Sequence, residues 1–147
     1  VYGVRRGPHV REAQLFSSIA NLPEFLLFFL MAAALTAIYL FVYTMATAHN
    51  EFALIRQNVV SAALSLGLSL VGFALPLSSA IVYATTIVDL AIWGGVAMAV
   101  QIAAYFLVRA IMPNLSQRIA AGELSAAIFL GAISLAAGIL NAAAMTF

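Results

Sequence analysis

The chain has no cysteine and no lysine among its 147 residues, and only 7% of them carry a charge. Without cysteine there is no disulfide, no thiolate nucleophile and no zinc–thiolate site. The compartment stays open, because a chain without thiols suits either redox setting. All six basic residues are arginine, against five acidic ones, for a net charge of +1. That leaves no broad basic field for nucleic acid. Nucleophile constellations, phosphate loops and dinucleotide fingerprints are also missing. His49 and Glu51 form a pair without cysteine or a third histidine, too little to define a metal centre. Glu24 and Asp89 have no histidine or third group for acid–base chemistry. The expectation is a protein with no catalytic activity, no cofactor and no metal.

What is present is apolar. Hydrophobic residues make up 65% of the chain and the mean hydropathy is +1.11, against about 45–50% apolar in an ordinary soluble domain. A core built from 147 residues leaves too much of this surface outside to hide it from water. No charged side chain lies between Arg56 and Asp89, and residues 25–48, 90–108 and 124–147 are equally free of charge. Each run is long enough to cross a bilayer core, which takes about 20 helical residues. The fold class is therefore all-α integral membrane, with four spans over about 24–46, 59–77, 89–112 and 124–145.

Local signals place the ends. Pro23 and Glu24 suit the first turn of span one, and Tyr39 and Tyr43 toward its far end suit the headgroup region. In loop 47–57 Asn50 caps a short helix, with Phe52 and Ile55 facing the membrane and the charges facing out. Asn58 makes the turn into span two. Pro76 and the serines and threonines after it read as a loop along the interface over 76–88. Asp89 opens span three near Trp93, and Arg109 closes it, where the negative helix end favours a cation. In loop 113–123 Asn114 or Ser116 caps a second short helix and Gly122 ends it in the C′ role. Residues 1–23 contain no apolar leader core. They read as an N-terminal segment apart from the membrane domain 24–147: 1–14 an exposed arm or a cloning remnant, 15–23 an interfacial piece. The start at Val1 is consistent with a removed leader or an alternative start codon.

A shift of 64 residues lays Asn50 on Asn114, Ile55 on Ile119, Ser61-Ala62-Ala63 on Ser125-Ala126-Ala127, and Leu66-Gly67 on Leu130-Gly131. Asn58 falls on Gly122, and both residue types tolerate positive φ. The expected architecture is two parallel two-helix repeats, about 24–77 and 89–147, each with a short interfacial helix. Parallel repeats are one of the two arrangements known in transporters. Arginines tie between the two sides: Arg56, Arg109 and Arg118 against Arg5, Arg6 and Arg11. The three N-terminal ones lie more than ten residues before span one, so they weigh less in the positive-inside count. The two interfacial loops are then cytoplasmic and both termini periplasmic.

These loops carry a family pattern. His49-Asn50-Glu51 with Leu54-Ile55-Arg56, Pro76-Leu77-Ser78-Ser79-Ala80, Asp89 with Trp93-Gly94-Gly95, Gln101, Arg109, Met112-Pro113, Leu115-Ser116 and the ending from Asn141 to Phe147 stand together. From residue 24 to 147 the chain resembles the YjfL-like inner-membrane proteins of bacteria, a family defined as a domain of unknown function (number 350). It departs at Ala48, where the family often has Pro, and at Ala144, where Cys is expected and no thiol remains. The resemblance implies four spans, an inner-membrane location and both termini outside the cytoplasm. It implies no activity.

Each span also carries a stripe of small or polar residues at helical spacing: Ala32, Thr36, Tyr39 and Tyr43; Ser61, Ser65, Ser69 and Gly72; Gly94, Ala97, Gln101 and Ala104; Gly131, Ser134, Gly138 and Asn141. In one reading they pack helices and hydrogen-bond between them. In the other, Ser65, Ser69, Gln101, Ser134 and Asn141 form a neutral polar seam that conducts a proton or small solute. No ionisable group stands at mid-depth, which counts against ion-coupled transport. Gln101, near the middle of span three, needs a partner, because a lone amide in hydrocarbon costs several kcal/mol, on the order of 2–7. His49, Glu51, Arg56, Arg109 and Arg118 read as a solvated rim or as a docking surface for a soluble partner or lipid headgroups. The expected partners are membrane lipids and further copies of the chain or other membrane subunits, not nucleic acid. A structural or accessory subunit is the first functional reading; a small channel or transporter formed by oligomers around the seam is the second.

Overall fold

The computed structural model describes Gly3 and residues 7–146, and all regular structure among them is helical. The order is α1 (Pro8–Ala20), α2 (Leu22–Ala46), α3 (Glu51–Arg56), α4 (Val60–Tyr83), α5 (Ile87–Ile111), α6 (Leu115–Ala120) and α7 (Leu124–Ala144). Four helical stretches are long and apolar enough to cross a membrane: Pro8–Ala46, in which α1 runs into α2, then α4, α5 and α7. A span of 25 residues, such as α5, reaches about 37 Å.

Leu35 of α2 faces Gly94 of α5 and Tyr43 faces Tyr105, so these two helices run in the same direction. On α4 and α7, Ser69 meets Ser134 and Gly72 meets Gly138, so this pair also runs alike. A Cβ built on Gly138 would land on the Gly72 carbonyl oxygen, and one on Gly72 would lie 2.5 Å from the Ser134 carbonyl oxygen. Backbone thus lies directly on backbone at the α4–α7 crossing, which only residues without a side chain permit.

The short helices are built alike. The Asn50 side chain accepts from the Ala53 N–H at 3.2 Å, capping α3 as expected. Asn58 (φ 62°) and Gly122 (φ 90°) both lie in the left-handed region. Around each, the same two bonds close the helix: Asn58 N–H to Ile55 O and Val59 N–H to Leu54 O, then Gly122 N–H to Ile119 O and Glu123 N–H to Arg118 O, all 3.0 Å. This is the Schellman pattern, placed twice at an offset of 64 residues. Asn114 precedes α6 but makes no side-chain cap, having itself turned left-handed (φ 59°).

Two expectations are corrected, and one segment gains definition: residues 8–20, within the expected arm and interfacial piece, form a helix, since Arg11-Glu12-Ala13-Gln14-Leu15 are mostly good helix formers and Pro8 sits where Pro is tolerated. All of that helix is exposed. The residues from Pro76 onward are not an interfacial loop, because α4 continues through Pro76 to Tyr83. Tyr39 and Tyr43 are not headgroup anchors; both are buried in the bundle, with Tyr39 stacked on Phe73 at 4.3 Å. Asp89 does serve the start of α5, as the acidic partner of a capping box with Thr86.

Candidate functional site

Proline inside a helix removes one N–H and so frees the carbonyl four residues back. For Pro76 that carbonyl belongs to Gly72. Gln101, on α5 and only 1% exposed, supplies the missing donor: its Nε2 donates to the Gly72 oxygen at 2.9 Å and to the Ser134 oxygen at 3.0 Å. One amide therefore ties three spans together at mid-depth. This is why α4 crosses its proline unbroken, since neighbouring helices satisfy freed backbone groups in membranes. The Gln101 Oε1 has no hydrogen-bond partner among the described residues.

From this clamp a line of hydroxyls leads toward the α3–α6 end. Ser134 Oγ lies 3.2 Å from Ser69 Oγ. Ser69 donates to the Tyr43 hydroxyl at 3.2 Å, and the Tyr39 hydroxyl donates to the Ser69 carbonyl at 3.3 Å. Tyr105 packs edge-on against Tyr43, with its own hydroxyl 3.4 Å from Ser116 Oγ. Toward the opposite end the buried residues include Ala32, Leu35, Leu77, Ala80, Leu90 and Met145, and no hydroxyl chain continues among them.

Four of the five seam residues, Ser65, Ser69, Gln101 and Ser134, are buried in a single chain. Ser65 takes no part in the line: its hydroxyl donates back to the Ala62 carbonyl at 3.1 Å. Asn141 is half-buried and its Nδ2 has no hydrogen-bond partner among the described residues. Ser69, Gln101 and Ser134 are thus joined to one another inside the chain.

The rim residues separate. Arg56 is exposed. Arg109 is exposed on an open cleft of about 220 Å³ with Ala48, Asn114, Ser116 and Gln117. Arg118 is ion-paired to Glu123. His49 and Glu51 turn inward instead, with side chains 6% and 0% exposed, and His49 Nε2 stands 3.1 Å from Glu51 Oε1. Burial pushes the Glu51 carboxyl above its ordinary range, and the adjacent His49 pulls it partly back. The expectation that the charges of α3 face out is overturned at Glu51, which is buried, while Arg56 and Phe52 are exposed. Positions 51, 54 and 55 share a helical face, and that face meets α4.

The family model described as "Domain of Unknown Function (DUF350)" matches residues 17–145. The chain belongs to the DUF350 family. The "UPF0719 inner membrane protein YjfL" of Escherichia coli (strain K12) is 40% identical over 127 residues, covering 86% of the DUF350 chain and 96% of that relative. The protein of the same name from Escherichia coli O157:H7 matches to the same extent. No solved structure matches.

Reasoning from the DUF350 sequence found the stripes but missed how they join. Tyr39, Tyr43 and Tyr105 belong to the polar interior, and the sign was present: both α2 tyrosines lie on the same stripe as Ala32. The inward turn of Glu51 had a weaker sign, its spacing with Leu54 and Ile55. Nothing local pointed to the pairing of Gln101 with the carbonyl freed by Pro76.

Proposed function

We propose that this protein is a polytopic bacterial inner-membrane subunit without catalytic activity of its own, which assembles with a second copy of itself. The observation that carries this reading is a contrast among glycines. A Cβ on Gly72, Gly94, Gly131 or Gly138 would strike a neighbour at once, whereas Gly67 and Gly95 have nothing within 4 Å. A mid-helix glycine costs roughly 0.5–1 kcal/mol relative to alanine, and within the chain nothing offsets that cost at these two positions. Gly95 lies in the series Ala91, Gly95, Ala99, Ala103 on α5, largely exposed, the small-xxx-small spacing that lets membrane helices approach closely. The inner-membrane placement rests on the relatives that carry it in their names.

Gly95→Leu is expected to keep the fold and to weaken self-association at least about tenfold, some 1.4 kcal/mol, read by native mass spectrometry or single-molecule counting in lipid nanodiscs. A wild-type chain that stays monomeric at every protein-to-lipid ratio would remove the proposal. Copurification with a different membrane subunit in place of a second copy would replace self-assembly by hetero-assembly. The alternative, a channel between copies around the seam, loses support because Ser65, Ser69, Gln101 and Ser134 are used up inside one chain.

The proposal includes two parallel repeats, supported by the paired Schellman turns and by the like directions of α2 with α5 and α4 with α7. It also includes cytoplasmic α3 and α6 with periplasmic termini, supported by Arg56, Arg109 and Arg118 at the α3–α6 end. A cysteine placed at exposed Gln117 is expected to resist an impermeant thiol reagent in intact cells and to react in inverted vesicles. Labelling from outside would reverse the orientation.

A further inference from the structure

The inward pair at the α3 end is not explained by packing. Glu51 is a carboxyl whose side chain is fully enclosed, yet neither oxygen has a well-formed hydrogen bond among the described residues. An enclosed carboxylate without donors is costly, so such a group holds a proton or keeps a partner close. His49 is that partner at 3.1 Å, and it too lacks an aligned bond at either ring nitrogen.

The surroundings supply phenols and no further charge. α2 contributes the fully buried phenols of Tyr43 and Tyr39. α5 contributes Tyr105 against Tyr43, and α4 and α7 contribute the hydroxyls of Ser69 and Ser134. On α6, Arg118 is paired with Glu123, while Arg56 on α3 and Arg109 on α5 are exposed.

Hydroxyl bookkeeping then gives the line a direction. A hydroxyl has one proton to donate. Ser69 gives its proton to Tyr43, so at the Ser69–Ser134 contact Ser134 must be the donor. The Tyr43 proton is left free of the serines. Serine and tyrosine hydroxyls both donate and accept, so the line can turn over by rotation of each hydroxyl, but Ser134 has no further acceptor and the line stores no extra proton. There the line stops among the described residues: no further hydroxyl is bonded to Ser134 Oγ.

We propose that Glu51, with His49 beside it, is a proton-binding site at the α3 end of the bundle. A proton from the adjoining aqueous phase adds to the Glu51 carboxylate and leaves by the same side. This site is independent of self-assembly, since its groups all lie inside one protomer.

Infrared titration of the full chain in lipid vesicles tests it. A carboxylic-acid carbonyl band is expected to persist above the ordinary carboxyl range. Glu51→Gln removes that band and Glu123→Gln leaves it. His49→Gln moves its midpoint upward, because the neighbour that favours the charged form is gone. Absence of a persistent acid band in the wild-type chain would overturn the site, whether or not the Glu51→Gln variant folds. In sealed vesicles the wild-type chain is expected to pass no protons across the bilayer; sustained proton flux that Glu51→Gln abolishes would overturn the one-sided exchange.

Discussion

Gly138→Val is expected to separate α4 from α7 and to unfold the bundle in mild detergent. A Cβ at this position meets the Gly72 carbonyl oxygen and lies 2.9 Å from the Gly72 Cα. Both are backbone atoms, so no side-chain rotation relieves the clash and the two helices must move apart. Overpacking of this kind costs about 1–3 kcal/mol, occasionally more. Separation also strains the Ser69–Ser134 contact and the Gln101 bond to Ser134, each worth roughly 0.6–2 kcal/mol between membrane helices. The combined loss is expected to exceed about 3 kcal/mol, a large part of the 5–15 kcal/mol that typically holds a fold. Reversible unfolding by denaturing detergent measures it, with Ala132→Val, on an exposed position of the same helix, as the control. Equal stability of the two variants would mean that the α4–α7 crossing is not what holds the spans together.

Gln101→Leu is expected to destabilise the chain by about 1–3 kcal/mol, because it leaves the Gly72 carbonyl buried without a donor. The Ser134 carbonyl suffers less, since the N–H of Gly138 lies one turn on in the same helix. Removing the unpartnered Gln101 Oε1 offsets part of the loss. The decisive measurement is a double-mutant cycle with Pro76→Ala. Alanine restores an N–H at position 76 that bonds Gly72 within α4, so in that background Gln101→Leu should cost at least about 0.5 kcal/mol less. Additive effects would show that Gln101 and Pro76 are unconnected and that the clamp has been misread.

These two sites mark where local reasoning reached its end. Gly72, Ser134 and Gly138 were legible as inward residues, because period 3.6 assigns faces whatever the neighbour is. Asn58 and Gly122 were legible as left-handed turns, because the demand for positive φ is met by the residue itself. Pro76 was misjudged for the complementary reason. Its missing N–H is a local fact, but whether the helix breaks depends on a donor 25 positions away, Gln101. Glu51 and the α2 tyrosines were placed outward because polar groups near span ends usually find water or headgroups. Here His49 and Ser69 meet them from inside.

By itself, the sequence determined that four helical spans exist, roughly where they start, and which stripe of each turns from the lipid. Length without charge and helical period are properties of single segments, and the bilayer acts on each segment separately. Only the tertiary structure decided that α4 lies against α7 backbone to backbone, that Gln101 repairs the gap left by Pro76, and that Glu51 is enclosed beside His49. Each of these needs a donor, a gap or a charge brought from another helix, and that is set by how the spans pack.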